Sequence, residues 1–346
     1  MKLPYVTESL EGVGGHIRER LEYFIVYEVL LYEPDSHGSH IFVNLTREGL
    51  STRDLVHRLA SLFKVRRCDV GYAGLKDKYS RATQTFSILM RSSTDDPLNH
   101  IMELIESELS VKVNWVSANR RKLRVGHLLG NRFTITITGM EISNDEALDR
   151  AQKIAAMIRE TGLPNYYGPQ RLGDEGKNLR RGLEIIQGKR RFHRGWLRRY
   201  LISCYLSHLC NRYLANRVES GAFYHVIKGD IAKKYSTGGL FIVEDEEGEQ
   251  ERYLNHEISF TAPIFGPKMW RASGPAGELE ELIWMESEIT LEQLKRLKVR
   301  GSRRLGRILP NIDVSGTSEG IVVRFFLPKG AFGTTVLREI MKSDMY

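Results

Sequence analysis

One short segment of glycines, lysines and an aspartate is the strongest candidate for chemistry. The segment Gly71–Gln84 reads GYAGLKDKYSRATQ, with Lys76 and Lys78 on either side of Asp77. Two cations beside a carboxylate favour its ionised form, which a nucleophile or a proton-abstracting base needs at neutral pH. On charge pattern alone, a polar surface turn explains the segment better than a catalytic site does.

Two basic clusters are candidates for contact with RNA. The formal net charge of +8 favours a polyanionic partner. Lys189–Arg199 reads KRRFHRGWLRR and Val299–Arg307 reads VRGSRRLGR. Basic side chains next to aromatic ones can hold phosphates and stack on bases, and a solvated helix face is the alternative. The residues predicted to contact RNA are Arg190, Arg191, Arg194, Arg303 and Arg304.

Composition limits the class of protein. A chain of 346 residues predicts about two domains. No apolar run reaches the ~18–20 residues that cross a bilayer, and the N-terminus lacks the apolar stretch of a secretory signal. We therefore expect a cytoplasmic protein with no membrane contact. Cys68, Cys204 and Cys210 show no CxxC spacing, which predicts small buried side chains and no metal site.

The hydrophobic pattern predicts strands and helices in alternation, followed by a helix-rich middle. The main predicted strands are Phe24–Leu31, Ile41–Leu45, Thr85–Met90, Phe133–Thr138 and Ile321–Leu327. Ser51 and Asp54 form a capping-box pattern before a helix. A long helix is predicted over Trp196–Val218, with His208 on its buried stripe as a core residue. The last strand is expected to rejoin the N-terminal part, although a plain two-domain chain fits the pattern too.

Several motifs follow one another in order along the chain. Ala73-Gly-Leu-Lys-Asp-Lys78, followed by Thr83-Gln84, resembles the signature of the D-type tRNA pseudouridine synthases. The further matching segments are Phe24–Glu28, Gly126–Phe133, Asn165–Gly173, Ser203–Asn211, Leu327–Gly330 and Leu337–Glu339. They cover nearly the whole chain. Tyr23 departs from the pattern, because the family usually has an acidic residue there.

The resemblance implies an α+β fold of an archaeal-like family member. Its catalytic domain would have a mixed, largely antiparallel sheet flanked by helices, split by an inserted α/β domain. Residues 1–163 and 311–346 would form the catalytic domain, and residues 164–310 the insertion.

The resemblance also implies an activity. The substrate would be a uridine in tRNA, typically at position 13 in the D arm, which is isomerised to pseudouridine with neither a cofactor nor a catalytic metal. Asp77 would be the catalytic carboxylate, attacking ribose C1′ or removing a ribose proton. The residues expected to bind substrate are Glu28, Lys76, Asn131, Phe133, Gln170 and Arg171. No protein partner is implied.

Some roles stay open on the sequence. Glu28 could orient a basic residue of the site or merely end a strand. Gln170 and Arg171 could contact phosphates or form a hinge between domains. A non-catalytic RNA-binding protein on the same scaffold is the main alternative, but it would not need Asp77. A methyltransferase would need a glycine-rich cofactor loop, and a glycosidase-like hydrolase would need two opposed carboxylates.

Overall fold

The computed structural model of the chain describes residues 2–90, 98–173, 176–190 and 195–343, apart from the side chains of Pro169 and Gln170. The chain forms two compact units. Unit 1 comprises Met1–Gly12, Lys153–Pro310 and Ala331–Tyr346, and unit 2 comprises Val13–Gln152 and Asn311–Gly330. Both terminal segments thus pack with the middle of the chain, and the expected division at residues 163 and 311 stays a prediction.

Strands and helices alternate through the first half of the chain. The strands are β1 (Phe24–Leu30), β2 (His40–Glu48), β3 (Val70–Tyr72), β4 (Arg81–Leu89), β5 (Val111–Asn119), β6 (Leu128–Ile137), β7 (Leu163–Pro164), β8 (Ile231–Lys234), β9 (Leu240–Ile242), β10 (Ile258–Ile264), β11 (Ser302–Leu305), β12 (Arg307–Ile308), β13 (Ile312–Thr317) and β14 (Gly320–Pro328). The α-helices are α1 (Thr52–Leu62), α2 (Leu98–Glu108), α3 (Asn144–Thr161), α4 (Pro169–Leu172), α5 (Lys177–Ile186), α6 (Gly195–Glu219), α7 (Glu246–Leu254), α8 (Gly274–Met285), α9 (Leu291–Arg296) and α10 (Gly333–Met341).

Unit 2 is built on one eight-stranded sheet. Its strand order is β13-β14-β6-β1-β4-β2-β5, and β3 pairs with β4 outside this path. The pair β1–β4 is parallel, while the other neighbours are antiparallel. The predicted α+β class with a mixed, largely antiparallel sheet is therefore confirmed. The C-terminal strand β14 lies inside the sheet between β13 and β6, which is the predicted return of the chain.

One face of this sheet carries the main core of unit 2. Successive side chains of a strand alternate between faces, so Val43 and Leu45 of β2 point to the same side and are fully buried. Leu55 and Leu59 of α1 pack with them. The predicted capping box begins this helix, because the Ser51 side chain accepts from the Asp54 amide at 3.2 Å and Asp54 accepts from the Ser51 amide at 2.9 Å.

Unit 1 is organised around the long helix α6. A four-stranded sheet of order β11-β10-β8-β9 and a two-stranded sheet of β12 and β7 belong to the same unit. Arg217 on α6 is fully buried and forms an ion pair with Asp230 at 2.7 Å. Cys204 and Cys210 are buried as predicted, but Cys68 in unit 2 is exposed. Within the described parts of the chain, no helix is both long and apolar enough to cross a membrane.

Candidate active site

The loop between β3 and β4 holds Asp77 and is anchored to buried side chains. Thr52, at the start of α1, accepts a hydrogen bond from the Lys76 amide at 2.9 Å. Gln84 on β4 donates to the carbonyl of Gly74 at 2.6 Å. Thr52 also donates to Gln84 at 2.9 Å, so the two anchors hold each other. Because Thr52 and Gln84 are almost completely buried, the path of the loop is set by the core of unit 2.

The main chain of Asp77 is also anchored directly, through its carbonyl oxygen. Its carbonyl accepts hydrogen bonds from Arg47 Nη1 and from Ser80 Oγ, both at 2.8 Å. The carboxylate itself is half exposed, and Arg18 Nη2 lies 2.9 Å from its Oδ2. The Asp77 carboxylate is therefore partly open to solvent, its backbone is fixed, and it is paired with the Arg18 guanidinium.

Arg18 is a site residue that the sequence did not indicate. It lies in the irregular segment before β1, and its guanidinium sits 4.3 Å from the ring centroid of Phe24. This cation–π contact and the ion pair with Asp77 orient the side chain from two sides. Arg18 also adopts a positive φ of 68°, which non-glycine residues rarely do. The sequence carried no signal for Arg18, because its spacing from Asp77 matches no local motif.

Glu28 and Lys76 form a buried ion pair beside the same loop. Glu28 lies inside β1, its side chain is fully buried, and its Oε2 contacts Lys76 Nζ, which is also almost fully buried. Glu28 Oε1 accepts from the amide of Thr85 at 3.3 Å. Burial lowers the pKa of Lys76, while the neighbouring charge of Glu28 raises it. Glu28 thus pairs with a basic residue of the loop, and both side chains are almost fully buried; their predicted roles in substrate binding stay predictions.

Asn131 and Phe133 lie on the neighbouring strand β6. The register of β1 and β6 places Asn131 opposite Glu28, and Phe133 opposite Val26, so all four side chains share one face of the sheet. The Phe133 ring stacks on Phe325 with centroids 5.0 Å apart. Asn131 Oδ1 is buried and has no hydrogen-bond partner in the described structure. Unit 2 therefore brings together five of the predicted site residues, namely Glu28, Lys76, Asp77, Asn131 and Phe133.

Arg171 lies in unit 1, where the long helix α6 holds it. Its Nε donates to Ser207 at 2.8 Å and its Nη2 to Ser203 at 2.9 Å. Asn211, one further turn along, exchanges hydrogen bonds with the main chain of Tyr167 at 2.8 and 2.9 Å. Residues four apart share a helix face, so Ser203, Ser207 and Asn211 lie on one side of α6. The two matching segments Asn165–Gly173 and Ser203–Asn211 therefore contact each other. The side chain of Gln170 lies outside the described structure.

The predicted RNA-contact residues fall in different environments. The Arg303 side chain is only 2% exposed and is paired with Glu280, which leaves little of it for a surface contact, and its contact with RNA stays a prediction. Arg304 is partly buried, stacks 3.9 Å from the Tyr167 ring centroid and donates to Asn165. The partly exposed Arg190 pairs with Glu184 at 3.0 Å. Arg191 and Arg194 lie outside the described residues.

Potential metal ligands are not clustered in the described ranges. There, no group of three or more histidine, cysteine, aspartate or glutamate side chains is gathered closely enough to hold an ion.

Comparison with known families assigns the chain. The family model of tRNA pseudouridine synthase D (TruD) matches residues 1–192 and 193–340. The chain belongs to this family. A tRNA pseudouridine synthase D of Thermus thermophilus is 39% identical over 344 residues, which cover 99% of this chain and 93% of that protein. The protein of the same name from an Anaeromyxobacter species is 37% identical over 348 residues, which cover 98% and 96%.

A solved structure shares the fold of this TruD family member. The crystal structure of the putative tRNA pseudouridine synthase D from Methanosarcina mazei superposes with a TM-score of 0.75. It is 24% identical in sequence, and the match covers 99% of each chain. The family membership inferred from the ordered motifs is thus confirmed.

Proposed function

We propose that this chain is a tRNA pseudouridine synthase that isomerises a uridine, at position 13 in the D arm, with Asp77 as its catalytic carboxylate. The carrying observation is the half-exposed carboxylate of Asp77, held by Arg18 on a loop anchored to the core. A uridine within folded RNA must leave its stack to meet such a group, at a cost of a few kcal/mol. Contacts to the tRNA phosphates offset that cost.

The neighbouring residues suit a flipped uracil. The Phe133 ring is partly exposed and braced by Phe325, so it can stack on the base. The buried Asn131 Oδ1 lacks a partner in the described structure, and it can accept a hydrogen bond from the N3–H of a uracil that enters beside it. Asp77 then acts on the ribose while the C1′–N1 bond breaks. The base turns, C1′ joins C5, and C5 loses the proton that the product gains at nitrogen, so the reaction needs no electron carrier.

The decisive experiment removes only the charge of Asp77. Asp77→Asn keeps the shape of the side chain, and we expect it to abolish pseudouridine formation while the melting temperature and the tRNA affinity stay near wild type. Asp313→Asn is the matched control, because Asp313 is an exposed carboxylate of the same unit, paired with Arg324. Asp77→Asn activity within about tenfold of wild type would remove Asp77 from catalysis, since loss of a reacting group costs far more. A wild-type protein that binds tRNA and forms no pseudouridine would instead be a binding protein.

The position of the target is tested on the RNA. A tRNA transcript with cytidine in place of uridine 13 should form no pseudouridine, whereas replacing a uridine elsewhere in the D arm should leave the yield unchanged. The reverse pattern would assign a different target.

We propose that the reaction takes place in the cytoplasm.

The basic segment Lys189–Arg199, which follows α5, is proposed to bind tRNA phosphates. Each neutralised phosphate steepens the fall of affinity with salt. Replacing Arg190, Arg191 and Arg194 by glutamine together should flatten the slope of log affinity against log salt. The same change at the buried, paired Arg303 should not flatten it, because that side chain is 2% exposed. An unchanged slope in the triple variant would assign the segment to solvent.

A further inference from the structure

Arg47 is a buried arginine directly beneath the Asp77 loop. It lies on β2, opposite Ala82 of β4, and is 1% exposed. Its Nη1 donates to the main-chain oxygen of Asp77 at 2.8 Å. Its Nε and Nη2 are also buried, and neither has a hydrogen-bond partner in the described structure. Among the described residues, the polar contact made by this guanidinium is therefore with the residue that carries the proposed chemistry.

Arg217, in unit 1, is a buried arginine whose guanidinium has several hydrogen-bond partners. Its guanidinium pairs with Asp230 at 2.7 Å and also donates to Tyr213 and to the carbonyls of Ala222 and His225. Arg47 has no such set within the described structure. A buried polar group left unsatisfied costs about 1–3 kcal/mol, and more when it is charged.

The electrostatics of Arg47 reflect that burial. Burial lowers the pKa of the Arg47 guanidinium to about 10, and the nearby charges of Asp77 and Asp54 work against the fall. At neutral pH the side chain still carries its proton. The positive charge of Arg47 is thus kept inside unit 2 at a cost in free energy. Of the two nearby carboxylates, Asp77 raises the pKa of Arg47 more than Asp54 does.

We propose that Arg47 is a positioning residue for Asp77, which holds its main chain from the buried side and supplies a fixed positive charge beneath its carboxylate. Arg18 pairs with the carboxylate itself, so two guanidinium groups contact Asp77, one at its side chain and one at its main-chain oxygen. Charges set in place before the reaction stabilise a reacting anion without reorganisation. This role rests on the proposed function of Asp77.

Ser80 provides a matched control for the mechanical part of this role. Its hydroxyl donates to the same Asp77 carbonyl, at the same 2.8 Å as Arg47. Ser80→Ala therefore removes one hydrogen bond from that oxygen and leaves every charge in place. Arg47→Gln has the opposite character, because it keeps an N–H donor and removes the charge.

The test measures single-turnover pseudouridine formation and tRNA affinity for the full-length variants. Arg47→Gln and Arg47→Ala should slow the folded enzyme by at least about thirtyfold, with tRNA affinity within about threefold of wild type. Ser80→Ala should lose less than about threefold in rate. Guanidinium ion added at millimolar concentration should restore part of the rate of Arg47→Ala, and should not accelerate wild type or Ser80→Ala. Rates are referred to the fraction folded in a melt of each preparation.

Two outcomes would overturn the role of Arg47. Equal losses in Arg47→Gln and Ser80→Ala would make Arg47 only one of two anchors for the carbonyl. A rate within about threefold of wild type in both Arg47 variants would remove it from the site altogether. If the wild-type protein itself forms no pseudouridine, the proposed function fails, and the positioning role fails with it.

Discussion

The buried pair of Glu28 and Lys76 should contribute to stability only as a pair. The Glu28 side chain is 0% exposed and that of Lys76 is 4% exposed. Removing one partner leaves the other charge buried and uncompensated, which costs about 3–5 kcal/mol. Replacing both by apolar residues of similar volume removes that penalty, and such replacements are often neutral. Glu28→Leu and Lys76→Met should therefore each be strongly destabilising, and the double variant much less so.

The assay is a double-mutant cycle on the free energy of unfolding in urea. We expect a coupling energy above about 2 kcal/mol for this pair, at the upper end of the range for contacting residues. Arg81 and Glu48 form the control cycle, because they also pair in unit 2 but their side chains are 41% and 43% exposed. An exposed pair contributes about 0–1 kcal/mol, so its coupling should be small.

The catalytic readout separates stability from position. Lys76 precedes Asp77 in the chain, so each single replacement should also slow pseudouridine formation in the folded fraction. If the Glu28–Lys76 coupling is no larger than that of the exposed pair, the buried contact does not hold the loop. The argument from burial would then be refuted.

Three further results are expected. Phe133→Ala should lower turnover at least about tenfold and cost under about 2 kcal/mol of stability, which is below the usual cost of truncating a core phenylalanine. Phe133→Tyr should stay active. A large stability loss with an unchanged rate would assign the ring to the core. Burial lowers the pKa of His208 to about 4, so the unfolded chain binds more protons between about pH 6.5 and pH 4 and stability falls as the pH drops through that window. His208→Gln should flatten this dependence in urea melts at several pH values, and a parallel curve would count against the assignment. Residues 1–163 alone should lack a cooperative melt, because β14 pairs with residues 130–137 of β6; a sharp transition would show that β14 is dispensable.

Local structure followed from the sequence because its causes are local. The Ser51 and Asp54 capping box needs residues only three apart, and the helix it predicts begins at Thr52. The predicted helix over Trp196–Val218 is observed over Gly195–Glu219 for the same reason. Hydrophobic periodicity records which face of an element is buried, and hence its type and approximate length.

The candidate site was predictable only where a motif carried it. Asp77, Asn131 and Phe133 lie within matching segments, and the structure gathers them in unit 2. Arg18 and Arg47 belong to no such segment, and their contacts with Asp77 depend on how distant strands and loops meet. Arg303 shows the reverse case, because a cluster of arginines in the sequence does not reveal that one of them is buried and paired with Glu280 on α8.

The position of β14 also has a consequence for folding of the protein during its synthesis on the ribosome. Strand β6 carries Asn131 and Phe133, and one of its edges is completed only by β14. Between the two parts of unit 2 the ribosome must make the whole of Lys153–Pro310, which takes roughly eight to thirty seconds at ~5–20 residues per second. During that interval the edge of β6 has no strand beside it, and an open edge invites pairing with other chains. A nascent chain stalled before Asn311 should therefore be a better substrate for chaperones than one stalled after α10, even though the loop that carries Asp77 has already been made.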